Sequence, residues 1–168
     1  MSDTIFALSS GAPPAAIAII RISGPHAGQA LRSLTGRAIE PRRPLLAKLS
    51  DANEAILDEA LVLWLPGPGT ATGEDLAELH CHGGRAVIAA VQSALSAIDG
   101  LRAAQAGEFT RRAFANGRMD LAEAEGLADL LSAETEIQRS VAMAMAGGGF
   151  SSQVEACLLY TSPSPRDS

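Results

Sequence analysis

Lysine, cysteine and aromatic side chains are scarce in this chain, and each shortage closes off a class of function. Lys48 is the only lysine, and the residue immediately before it is Ala47, not Gly. A phosphate-binding loop of the form G-x-x-x-x-G-K-[ST] is therefore impossible in these residues. The two cysteines, Cys81 and Cys157, are too few for a disulfide scaffold and fit a reducing compartment. There is no C-x-x-C pair, H-E-x-x-H helix or G-x-S-x-G elbow. Aromatics amount to 4% of 168 residues, with one Trp and one Tyr, so the core must be built from Ala, Leu, Ile and Val. No apolar run is long enough to span a bilayer. The opening Met1-Ser2-Asp3-Thr4-Ile5-Phe6 lacks the basic and apolar parts of a secretion signal. The expectation is a cytoplasmic protein with no membrane association.

What is present is an ordinary globular mixture, 47% hydrophobic and 19% charged, which excludes wholesale disorder. The length suits one domain, or one domain with part of a second. A net charge of −6 and a pI of about 5.0 argue against a domain that holds nucleic acid by bulk electrostatics. Any RNA contact needs a local basic patch or a partner.

Residues 3 to about 117 alternate between strand-like and helix-like patterns. Residues 3–9 and 15–23 read as strands. The second is apolar at nearly every position (Ile17, Ile19, Ile20, Ile22), which predicts a central strand covered on both faces. Ser23-Gly24-Pro25 opens a helix with Pro in its first turn. Its face is Ala27, Ala30, Leu31 and Leu34, and Gly36 ends it. Strands are predicted at 45–49, 60–65 and 76–82, the middle one stopped by Pro66-Gly67-Pro68-Gly69. A helix over 86–98 has Val87, Val91, Leu95 and Ile98 on one side, closed by Gly100. From Asp120 an Asp-x-x-Glu cap leads into apolar residues at helical spacing up to Ala146, a helix of roughly 40 Å. Such a helix needs partner helices, so it reads as the first piece of a truncated helical domain. Gly147-Gly148-Gly149 reads as a break in it; it resembles a phosphate loop only in composition, since no strand leads into it. The final twelve residues, CLLYTSPSPRDS, resemble a translated sequencing adapter; a natural disordered tail is the alternative.

Three segments could carry chemistry. Along a strand, Glu78, His80 and His82 point one way and Leu79 and Cys81 the other. A metal site is one reading, and a strand end beside a pocket is the other. Three ligands spread over roughly 13 Å of strand cannot reach one ion unaided. Arg21 interrupts an apolar strand, which is costly unless it meets an acid or an anionic ligand. A structural ion pair and a ligand contact are equally open. Finally, Arg111, Arg112 and Arg118 make the only dense basic cluster, on a short helix followed by an Asn116-Gly117 turn.

That last segment, Gly107-Glu108-Phe109-Thr110-Arg111-Arg112-Ala113-Phe114-Ala115-Asn116-Gly117-Arg118-Met119-Asp120-Leu121-Ala122-Glu123-Ala124-Glu125, resembles the signature of the TrmE (MnmE) family of tRNA-modifying GTPases. Asp3-Thr4-Ile5, Ile20-Arg21-Ile22-Ser23-Gly24-Pro25, Pro66-Gly67-Pro68 and Thr72-Gly73-Glu74-Asp75 through Glu78-Leu79-His80-Cys81-His82-Gly83-Gly84 resemble its other motifs, in the family's order. The resemblance covers residues 3 to about 156. It implies an α+β fold, a mixed β-sheet with packed helices, over residues 1–118. This part would bind a tetrahydrofolate derivative (5-formyl- or 5,10-methylene-) and form a homodimer. Residues 119–156 would start the helical domain, and 157–168 would be the adapter-like tail. Arg21, Glu78 and Arg118 carry over as folate contacts, and no catalytic residue carries over. A carboxylate such as Glu78 can accept from a pterin-like ring, and Arg side chains suit the cofactor's glutamate tail.

For an intact member the resemblance implies GTP, Mg and K as cofactors. It also implies an MnmG-type flavoprotein partner and tRNA whose wobble uridine is modified at C5. Arg118 stands where the family usually has Lys, and Ala106 where it usually has Pro. Two rival readings are a stand-alone folate-dependent aminomethyltransferase-like protein and a dimerisation module without a ligand.

Overall fold

The computed structural model describes residues 3–9, 16–120 and 122–123. The chain divides into Met1–Leu121 and Ala122–Ser168. In the second unit Ala122 and Glu123 are helical. The long helix expected up to Ala146, the glycine triplet and the adapter-like tail otherwise lie outside the described residues.

The first unit is an α+β domain, with nine elements among its described residues: β1 (Thr4–Leu8), β2 (Ile17–Ser23), α1 (Ala27–Thr35), β3 (Leu45–Ser50), β4 (Ile56–Leu65), β5 (Leu76–His82), α2 (Arg85–Ser96), β6 (Leu101–Ala103) and α3 (Glu108–Ala115). Six strands form one mixed sheet in the order β3-β4-β5-β2-β1-β6. Among the strand pairs of the described residues only β1–β6 is parallel.

Strand alternation sorts the side chains onto two faces. Ile20 and Ile22 of β2, Leu79 and Cys81 of β5 and Val62 of β4 are fully buried in one cluster. Helix α1 adds Ala27, Ala30, Leu31 and Leu34 to it, and α2 adds Ile88, Val91 and Leu95. Each buried Leu or Ile stabilises the fold by about 1.5–3 kcal/mol. The face predicted for α1 is the one that is buried. Gly36 ends the helix in the left-handed conformation, its N–H bonded to the Arg32 carbonyl. Pro25 lies in the turn before the helix rather than in its first turn. In α2, Ile88 is buried while Val87 is only partly so; the helix ends at Ser96, and Ile98, also partly buried, lies beyond it. Burial and the Asp58 charge push the Cys81 thiol up to about 12, so it packs as a small apolar group.

The opposite face departs from expectation. Strand β2 is central, but its Ile17, Ile19, Arg21 side is not closed over: Ile17 is 59% exposed and the Arg21 side chain 40%. A near-continuous apolar composition predicted cover on both faces. Among the described residues that side is exposed along Ile17 and Arg21, while its other end is covered, with Ile5, Ser23 and Leu76 aligned in register and buried.

Gly24 joins β2 to α1 with φ +139°, and a Cβ there would sit 2.7 Å from both the Thr4 Cα and Oγ1. Thr4 is buried, and its Oγ1 accepts the His26 N–H at 2.8 Å. The Gly24 N–H donates to the Asp75 carbonyl at 2.9 Å. Three segments thus meet at a point with no room for a side chain. Gly24→Ala should lower stability by about 2 kcal/mol or more, read as a lower urea midpoint. An unchanged midpoint would contradict this packing.

Candidate ligand-binding site on the open sheet face

Strands β2 and β5 pair antiparallel with Arg21 directly opposite Glu78, and Ile19 opposite His80. On the other side of β5, β4 places Leu63 opposite Glu78 and Leu61 opposite His80. A polar row thus crosses an otherwise apolar surface. The Arg21 Nε donates to Glu78 Oε2 at 3.0 Å, and His80 Nε2 lies 3.0 Å from Oε1. The Glu78 side chain is only 14% exposed. An ionised carboxylate only accepts, so the His80 proton facing it sits on Nε2. The carboxylate offers about four acceptor positions, and these two donors fill one on each oxygen. The others suit a planar ligand edge with adjacent N–H donors, so these acceptors are compatible with the ring of a reduced folate.

His82 behaves differently from its two neighbours. Its Nδ1 lies 2.7 Å from Asp58 Oδ1, and its backbone N–H donates to Oδ2 at 2.9 Å. Asp58 is thus claimed twice by the end of β5. Glu78 and His80 pair with each other, while His82 turns to another acid. Among the described residues no group of three His, Cys, Asp or Glu is arranged to hold a metal ion.

The 66–75 loop between β4 and β5 receives the third predicted contact, Arg118, from beyond α3. Arg118 Nε donates to the Thr70 carbonyl at 2.7 Å, and Asn116 Nδ2 to the Thr72 carbonyl at 2.8 Å. Gly73, with φ +80°, makes this approach possible: a Cβ there would lie 2.6 Å from the Asn116 Cβ and 3.3 Å from the Arg118 Cγ. The same loop reaches β2, where Ser23 Oγ donates to Glu74 Oε1 at 2.7 Å and lies 2.7 Å from Thr72 Oγ1. The structure therefore joins Arg21 to Glu78 directly. Arg118 makes its hydrogen bond elsewhere, on the loop that Ser23 anchors two residues along β2.

Helix α3 is held by a charge cluster that sequence reasoning missed. Arg112 donates to the Asp3 carbonyl at 2.8 Å and carboxylate at 3.1 Å, to Glu74 at 3.1 Å and to Glu108 at 3.3 Å. Arg102 of β6 binds Asp3 and Glu108. Glu108 is buried. Its carboxyl is held down to about 2, chiefly by the Arg102 hydrogen bond, with the Gln105 N–H and the charges of Arg102 and Arg112 adding to it against the cost of burial. Asp3 is also held below the usual carboxylate range, mainly by Arg102. The one local signal was the Glu108–Arg112 spacing of four on a helix.

Residues 4–118 match the protein family described as GTP-binding protein TrmE N-terminus. The chain belongs to this family. It is 70% identical over 156 residues to the tRNA modification GTPase MnmE of Novosphingobium aromaticivorans, covering 92% of this chain and 36% of that protein. Proteins of the same name from Erythrobacter litoralis and Rhizorhabdus wittichii are each 65% identical, over 152 and 157 residues. Those alignments cover 90% and 92% of this chain and 36% of each relative. The chain thus spans about a third of the length of these relatives and corresponds to the N-terminal part of proteins so named. No helix among the described residues is long and apolar enough to cross a membrane.

The Glu108 cluster gives a stability test. Its folded pKa lies below the ordinary 4.5, so its contribution is fully present above that value. The contribution is lost as pH falls towards about 2. With Arg102 39% exposed, solvent screening limits it to about 1–2 kcal/mol. Glu108→Gln should be less stable by that amount at pH 7, and the gap should close between about pH 5 and 2. Urea denaturation across that range checks this; a constant gap would exclude the ionised form as its source.

Proposed function

We propose that this domain binds a reduced folate on the open sheet face. It would do so as the N-terminal part of a GTPase that modifies the wobble uridine of tRNA. The observation that carries the reading is the Arg21–Glu78 pair: a largely buried carboxylate with acceptor capacity left over, set in an apolar surface. Glu78 accepts from the ring, Arg21 orients Glu78 and adds positive charge, and Arg118 meets the anionic tail of the cofactor. The one-carbon group of 5-formyl- or 5,10-methylene-tetrahydrofolate supplies the uridine substituent. GTP, Mg and K act in the portion of the longer protein that the relatives possess beyond this match. An MnmG-type flavoprotein and tRNA are its partners, in the cytoplasm.

The domain also pairs with a second copy. Ile17, Leu46 and Leu61 are 59%, 59% and 40% exposed, and register places them on the open face. Apolar side chains grouped in this way favour a protein partner.

Titration of the chain with 5-formyltetrahydrofolate tests the first part. Glu78→Ala should weaken binding at least about tenfold, because it leaves ring donors unmet in a partly dry site. Arg118→Lys keeps the charge and should be nearly neutral. Equal binding by wild type and Glu78→Ala would sink the assignment. Sedimentation of the chain well above micromolar concentration should give a dimer; a clean monomer would refute the pairing.

A further inference from the structure

We infer that His80 is a positioning residue that locks the plane of the Glu78 carboxylate; for its ligand arm the inference rests on the folate reading. The terminal torsion of a glutamate side chain is broad and only weakly restrained on its own. Arg21 reaches Glu78 through a single Nε contact on Oε2. One such hydrogen bond fixes one oxygen and leaves the carboxylate free to swing about it. The His80 Nε2–H, 3.0 Å from Oε1, supplies the second point. Donors on both oxygens fix the plane in which the remaining acceptor positions lie.

His80 is itself held in place. It stands between Ile19 of β2 and Leu61 of β4, and its side chain is 27% exposed. Two residues farther along the strand, the His82 ring pairs with Asp58 and takes no part. A rigid carboxylate plane matters for a flat ligand edge, because two parallel hydrogen bonds form well only when both acceptors lie in the ring plane. Preorganisation of this kind raises affinity without adding a contact to the ligand.

Two measurements on the chain decide the matter. Nitrogen-15 shifts of the His80 ring should show the Nε2–H tautomer alone in wild type and a mixture in Glu78→Ala; this arm needs no folate. In titrations with 5-formyltetrahydrofolate, His80→Ala should weaken binding about fivefold. His80→Gln, whose side-chain amide can donate to the same oxygen, should restore it to within about twofold. In a Glu78→Ala background, His80→Ala should cause no further loss. A role confined to strand packing would give the same loss in both backgrounds and no rescue by Gln. An unchanged tautomer in Glu78→Ala, or wild-type affinity in His80→Ala, overturns the inference. If the tautomer responds as expected but wild type does not bind the folate, the folate reading falls and the coupling of His80 to Glu78 stands.

Discussion

The Arg112 guanidinium is where separate stretches of chain are held against one another. It reaches Asp3 at the start of β1, Glu74 in the loop before β5, and Glu108 one turn back on its own helix. Its side chain is only 12% exposed. A cation removed from water this far is stable only if its donors are met, and here carboxylates and a backbone carbonyl meet them. Arg102 shares two of the same acids. Removing one partner leaves the others with uncompensated charge, so the cluster behaves as a unit rather than as a sum of pairs. Helix α3 is short and would not persist by itself. The clasp fixes it, and with it the Asn116–Arg118 turn that closes on the 66–75 loop.

The two faces of the sheet divide the labour. One is sealed by α1 and α2 around Ala, Leu, Ile and Val, as the scarcity of aromatics required. The other keeps a polar row amid apolar neighbours. A carboxylate at that position is tolerable because an arginine and a histidine on the same surface answer it. The same pairing that makes Glu78 stable in a largely apolar setting also leaves it able to accept more.

Much of this was legible in the sequence where the signal is local. Strand β5 runs over the predicted residues 76–82, and the division of Glu78, His80 and His82 from Leu79 and Cys81 follows from alternation alone. The α1 face and its Gly36 terminus follow from helical spacing and the left-handed freedom of glycine. Strand β4 begins at Ile56, earlier than predicted, because Asp58 and Glu59 mask its apolar pattern. The three-residue β6 left no pattern to read. What Arg21 pairs with was undecidable, since its partner lies 57 residues away and only the β2–β5 register selects it. The same holds for Asp58 with His82 and for Asp3 with Arg112. Charge clusters assembled by tertiary contact have no spacing rule.

The parallel pairing of β1 with β6 has a consequence for synthesis. Thr4 lies against Leu101, and Asp3 waits for an arginine 109 residues later. On a ribosome the first strand emerges early but obtains its outer neighbour only after almost the whole domain has left the exit tunnel. Until then its outer edge and the acid at its start are unanswered, and pairings of such long sequence separation form slowly. Nascent chains shorter than about α3 should therefore be the form on which chaperones act, and the domain should gain protease resistance in one late step rather than strand by strand.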